Sequence, residues 1–200
     1  MARILIVDDD RLVLSALAIG LETFGYVVSK VGSGEQALEI LDTVKPDLIV
    51  MDVCLPGISG VEAARQIWQK RDIPVIFLSA YEDPQTVRDA VALGGMSYLV
   101  KPITVNQLVP VIESALARAS DIAKLKEQEE NLAAALQQSR EISVAIGVLM
   151  ERHDLTAEGA FETLRSHARN TQRKTSDVAK DVISGALELG PSARSADPNE

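Results

Sequence analysis

Five times in its first 120 residues the chain sets a short apolar run beside a helix-like pattern, and this alternation limits its possible folds more than any other feature. The runs lie at residues 4–7, 27–28, 48–51, 75–78 and 98–100. Unbroken apolar runs suit strands buried on both faces, as in a parallel sheet covered by helices. Helix starts fall between them. Ser33 with Gln36, Ser59 with Glu62, and Thr104 with Gln107 have capping-box spacing, and Asp83-Pro84 reads as an N-cap followed by a first helical residue. The pattern predicts an α/β fold, a doubly wound five-stranded parallel sheet over residues 1–120, with its site outside the carboxyl ends of the strands.

From Thr104 the helical pattern continues to about His153, with a kink expected at Pro110. Over residues 121–140, Ile122, Leu125, Leu132 and Leu136 form an apolar stripe at coiled-coil spacing, interrupted by Glu129 and followed by Ser139 and Ser143. A dimer coil is favoured over an amphipathic helix folded back on its own domain. Residues 141–189 predict three short helical segments. Ile142, Ile146 and Leu149 share a face of the first, where Gly147 suggests close approach of another backbone. Ala160, Phe161, Leu164 and Ala168 stripe a helix over 156–170, and Val178, Val182, Ile183 and Ala186 another over 176–189. Gly190-Pro191 ends it, and residues 190–200 read as a flexible polar tail.

Asp8, Asp9 and Asp10 follow the first apolar run, and Asp52 follows the third. If those strands are neighbours, the carboxylates meet. Two unit charges about 4 Å apart repel by roughly 4 kcal/mol at an effective dielectric of about 20, so the cluster calls for a cation. Carboxylate and carbonyl oxygens suit a hard ion such as Mg²⁺. Lys101 and Ser79 end the fifth and fourth runs and bring an ammonium and a hydroxyl to the same rim. A carboxylate nucleophile with metal, lysine and hydroxyl is what phosphoryl transfer to an aspartate needs. Asp10 reads as a helix cap.

"LIVDDD", "VMDVCLPGISG", "LSAY" and "YLVKP", in that order, resemble the receiver domains of two-component response regulators. The resemblance implies a flavodoxin-like fold with Asp52 as phosphoacceptor and a sensor histidine kinase as partner. It implies Mg²⁺ held by Asp8, Asp9, Asp52 and the backbone carbonyl of Cys54. Ser79 and Tyr98 would be the switch residues, and Lys101 would pair with the phosphate before a cis bond to Pro102.

"AIGVLMERHDLTAEGAFETLRSHARN" and "KTSDVAKDVI" resemble the ANTAR module of transcription antiterminators. That implies three helices binding RNA hairpins as a homodimer once Asp52 is phosphorylated. Many members carry Lys where this chain has Ile146. The net charge of −9 argues against indiscriminate binding to polyanions. Yet Arg165, Arg169, Arg173 and Lys174 fall in a stretch with no acid, and they are the candidate RNA contacts. A DNA-binding or protein-adaptor output is the alternative. The only reactive constellation is the self-phosphorylating one, so an enzyme acting on an outside substrate is not expected. One cysteine and no apolar run near the roughly 18 residues of a membrane span fit a cytoplasmic protein without a membrane partner.

Overall fold

The computed structural model describes residues 1–80 and 97–189. The Asp83-Pro84 cap, the Gly190-Pro191 stop and the polar tail lie outside the described residues. Two compact units divide between Lys124 and Leu125.

The first unit holds β1 (Arg3–Val7), α1 (Arg11–Thr23), β2 (Val27–Val31), α2 (Gly34–Val44), β3 (Leu48–Asp52), α3 (Gly60–Trp68), β4 (Val75–Ser79) and β5 (Ser97–Val100). A long helix, α4 (Val105–His153), begins in this unit and continues into the second. The strands are all parallel and ordered β2-β1-β3-β4-β5.

Alternation along the strands sends side chains to two cores. Ile4, Ile6, Leu48, Val50, Ile76 and Leu78 pack against Leu14, Leu17 and Leu21 of α1 and Leu108 and Ile112 of α4. Leu5, Val7, Ile49, Met51, Val75 and Phe77 face Ala37 and Leu41 of α2 and Ala63, Ala64 and Ile67 of α3. Each fully buried Leu, Ile or Phe contributes about 1.5–3 kcal/mol, so the sheet is held from both sides. Burial on both faces holds for the inner strands. The edge strands β2 and β5 are only partly covered, because each has a neighbour on one side alone.

Ser33 and Ser59 cap α2 and α3, accepting from the Gln36 and Glu62 N–H groups at 3.3 and 3.2 Å. The return arm expected of a capping box forms at Thr104, whose N–H donates to Gln107 Oε1 at 3.0 Å. Gln36 instead reaches the Gly32 N–H at 3.0 Å, and Glu62 turns to Arg65 and Gln66. α4 runs on through Pro110, which is exposed and lies in its second turn.

In the second unit, the end of α4 packs with α5 (Ala157–Asn170) and α6 (Thr175–Ser184) around Ala145, Leu149, Ala160, Leu164, Ala168, Val178, Ala179 and Val182. α6 stops five residues before the boundary the sequence suggested. Gly185 takes a left-handed conformation (φ 77°), which ends the helix where any other residue would be strained. Ile183 and Ala186 are exposed as a result, and Leu189 returns to the core. Phe161, expected in the stripe, is only half-buried. Gly147 also departs from expectation: a Cβ there would meet nothing within 4 Å among the described residues, so no close approach of another backbone is seen there.

Candidate functional site

Strand register assembles the acidic cluster. Val7 pairs with Met51, so the next residues, Asp8 and Asp52, leave the sheet side by side. Asp52 pairs with Leu78 and Ser79 with Val100, which brings Ser79 and Lys101 to the same edge. Asp8 is fully buried, and Asp52 and Ser79 are nearly so. Carboxylate oxygens of Asp8, Asp9 and Asp52 lie within 4.8 Å of one another, with Asp9 the exposed member.

Lys101 Nζ donates to Asp8 Oδ2 at 2.6 Å and to Asp52 Oδ2 at 2.5 Å. The remaining oxygens accept from the backbone: Asp8 Oδ1 from the Asp10 N–H at 3.0 Å, and Asp52 Oδ1 from the Cys54 N–H at 2.9 Å. Asp10 accepts from the N–H groups of Leu12 and Val13 as the N-cap of α1. Gly60 completes the frame. A Cβ there would lie 1.9 Å from the Asp52 carbonyl oxygen, so only glycine lets α3 start this close to β3. The Lys101–Pro102 bond is cis. Tyr98 lies opposite Phe77 and packs, half-buried, against the second core.

Burial raises the Asp8 carboxyl above its ordinary range, outweighing the hydrogen bonds from Lys101 and the Asp10 N–H. Burial pulls Lys101 down, but its bonds to Asp52 and Asp8 overcome that and hold the ammonium above its ordinary value. Two carboxylates share the one ammonium, and Asp9 brings a third beside them. An all-oxygen donor set with excess negative charge fits Mg²⁺. Asp8, Asp9 and Asp52 would hold it, and the Cys54 carbonyl follows Asp52 closely enough in sequence to join them.

Reading from the sequence passed over one residue beside this site. Glu35, in the first turn of α2, accepts from the Ile58 N–H at 2.8 Å across 23 positions. In the sequence it looks like a helix N-terminal acid and nothing more.

In the second unit the four candidate cations are all exposed, but the run that holds no acid in sequence meets acids in space. Arg165 pairs with Glu162 at 3.4 Å, and Arg173 with Asp181 at 2.7 Å. Arg169 and Lys174 have no such pair among the described residues. The Glu162–Arg165 contact was readable from its i, i+3 spacing, whereas the pair from Arg173 to α6 was not.

Comparison with known proteins agrees with this geometry. A family model described as response regulator receiver domain matches residues 4–113, and one described as ANTAR domain matches residues 130–183. The chain is 34% identical over 185 residues to the transcriptional regulatory protein PdtaR of Mycobacterium tuberculosis, covering 90% of each. This chain belongs to the response regulators that join a receiver to an ANTAR domain. The regulator also resembles the alkaline phosphatase synthesis transcriptional regulatory protein PhoP of Bacillus subtilis, 35% identical over 130 residues, 64% of this chain and 54% of that one. Among solved structures, the receiver domain of a modulated diguanylate cyclase from Desulfovibrio desulfuricans G20 matches 60% of the regulator and 97% of its own chain. Its TM-score is 0.56 at 32% identity. The response regulator's family is regulatory rather than enzymatic. No helix among the described residues is long and apolar enough to cross a membrane.

Proposed function

We propose that Asp52 takes a phosphoryl group from a sensor histidine kinase, and that this change drives the ANTAR unit to bind RNA hairpins as a dimer. The observation that carries the first half is Lys101 Nζ bridging Asp8 and Asp52. A carboxylate oxygen of Asp52 attacks phosphorus. The new O–P bond forms as the donor's bond to phosphorus breaks, and the donor leaves with that electron pair. Bound Mg²⁺ supplies positive charge to the transferring oxygens. Lys101 supplies a second positive charge, and its two bonds hold Asp8 and Asp52 in place beforehand. Ser79, at the buried end of β4, and Tyr98 on β5 are the groups through which a phosphorylated Asp52 would be sensed. Their placement on β4, which adjoins β3, and on β5, which adjoins β4, supports that role.

The second half is supported by the exposure of α4. Ile122, Leu125, Leu132 and Leu136 are 46–64% exposed, and every residue from 121 to 140 is exposed. An apolar stripe left bare at heptad spacing suits a second copy of the same helix. Two ANTAR units held together would bind paired hairpins with far higher avidity than one.

The test is acetyl phosphate with and without EDTA, read by intact mass. Wild type should gain one phosphoryl group only with Mg²⁺, and Asp52→Asn should gain none. Equal labelling of the two proteins sinks the assignment. For the output, a gel shift with leader RNA hairpins against duplex DNA of the same sequence separates the RNA reading from the alternatives. Shifting the DNA alone moves the output to DNA binding, and shifting neither moves it to a protein partner.

A further inference from the structure

We propose that Glu35 is a positioning residue for the cation site, holding the loop after β3 in the shape that brings the Cys54 carbonyl beside Asp8, Asp9 and Asp52. The proposal rests on those residues being the Mg²⁺ site. The loop, residues 53–59, leaves directly from Asp52 and returns at Gly60. Its ends are pinned by backbone: the Gly60 N–H donates to the Val53 carbonyl at 3.0 Å, and Gly60 lies against the Asp52 carbonyl. Cys54 is tied to β3 through its N–H bond to Asp52 Oδ1, but among the described residues the middle of the loop, residues 55–58, has no backbone bond to β3 or α3.

That support comes from α2. Glu35 Oε1 accepts from the Ile58 N–H at 2.8 Å and lies over Gly57, where a Cβ would stand 2.3 Å from the same oxygen. Gly57 has a φ of 80°, so the loop turns there in a conformation that favours glycine. Gly34 adds an apolar contact, since a Cβ on it would lie 2.7 Å from Ile58 Cγ1. The Ile58 N–H also holds the Glu35 carboxyl below its ordinary range, as a bond to the charged form must.

Without this bond the loop can sample other shapes, and any that turn the Cys54 carbonyl away bind the cation less well. Apparent affinity then falls by the fraction of competent loop. The chemical step, carried by Asp52 and Lys101, should be little affected once the cation is bound.

Mg²⁺ titration calorimetry on the full chain tests this, with wild type, Glu35→Ala, Glu35→Gln and, as a surface control, Asp42→Ala. Rates of phosphorylation by acetyl phosphate are measured across the same Mg²⁺ range. Glu35→Ala should raise the Mg²⁺ Kd about tenfold, the equivalent of about 1.4 kcal/mol. Its rate at saturating Mg²⁺ should stay within about twofold of wild type, the mark of lost binding rather than lost chemistry. Glu35→Gln keeps an oxygen acceptor without the charge and should restore most of the affinity. In the metal-free protein, hydrogen exchange at the Ile58 amide should speed up in Glu35→Ala and not in Asp42→Ala. Wild-type affinity in Glu35→Ala, unchanged exchange at Ile58, or equal weakening in Glu35→Gln would each overturn the proposal. A wild-type protein that takes no Mg²⁺ would instead remove the cation site itself.

Discussion

Lys101 and Asp8 stand 93 positions apart in the chain and meet at 2.6 Å, with Asp52 on the same ammonium. Removing that ammonium leaves two buried carboxylates facing each other without a counter-charge. Lys101→Ala should therefore lose about 1–3 kcal/mol of stability in metal-free buffer, the cost of stranding a buried charged group. Millimolar Mg²⁺ should stabilise the variant more than it stabilises wild type, since it replaces the missing charge. Urea unfolding followed by Trp68, the sole tryptophan, measures both. An equal response to Mg²⁺ in the two proteins would count against a shared site.

Two glycines in helices should respond to alanine with opposite signs. Gly60→Ala drives a methyl into the Asp52 carbonyl, and neither partner is a flexible side chain, so about 1–3 kcal/mol should be lost. Gly147→Ala adds a methyl to open space in the interior of α4 and should gain about 0.5–1 kcal/mol. Thermal or urea midpoints of the two variants check this directly.

Acid should loosen the first unit in a way that depends on Glu35. Its carboxyl is held below the ordinary value of 4.5 by the Ile58 N–H, so the folded protein binds fewer protons there than the unfolded chain. That contribution is fully present above the ordinary value and is lost as pH falls through the depressed one. Glu35→Gln should be less stable than wild type at neutral pH, and the gap should narrow on acidification below about pH 4.5. A gap that is constant across that range would show that the charge contributes nothing.

Treatment with a phosphodonor should make wild type sediment as a heavier species. Leu125→Asp combined with Leu132→Asp should remain light, because both substitutions put charge into the bare stripe of α4. Identical sedimentation of the two, with and without donor, would free the stripe from any role in association.

For the output unit, the pairing of Arg165 and Arg173 changes which cations matter most. Exposed ion pairs are worth at most about 1 kcal/mol, so an RNA phosphate can displace Glu162 or Asp181, but it must compete. Arg169→Ala and Lys174→Ala should each weaken hairpin binding and flatten the salt dependence by roughly 0.7–0.9 in log–log slope per lost phosphate contact. Arg165→Ala and Arg173→Ala should do less. Equal slopes in all four variants and wild type would make the basic edge a solvated surface.

The sheet and its acidic rim were legible because inner parallel strands are covered on both faces and so appear as unbroken apolar runs. The residue after each run then falls at the site, which is how Asp8, Asp52, Ser79 and Lys101 could be brought together without coordinates. What escaped was made by side chains that reach across the chain. Glu35 looks like an ordinary first-turn acid, and nothing near it names Ile58. Asp181 looks like a surface residue of α6 until the turn before that helix folds Arg173 back to it. The end of α6 was missed for another reason: Gly185 and Gly190 both offer a stop, and packing of Leu189 into the core, not local propensity, decides between them.

Twenty consecutive residues of α4, from Asp121 to Arg140, are all exposed. A helix without packing is only marginally stable at about 12–15 residues, so this stretch owes its shape to its own Ala, Leu, Glu and Lys content and to the folded ends that flank it. Local opening there is cheap compared with opening of the sheet. Lys124, Lys126 and Arg140 lie within it, so trypsin should sever the lone protein there first and leave the two units whole. A partner helix on the stripe would close that window. The lifetime of the regulator among proteases would then be tied to whether it is paired, and cleavage would part the receiver from the ANTAR unit in those copies that are not.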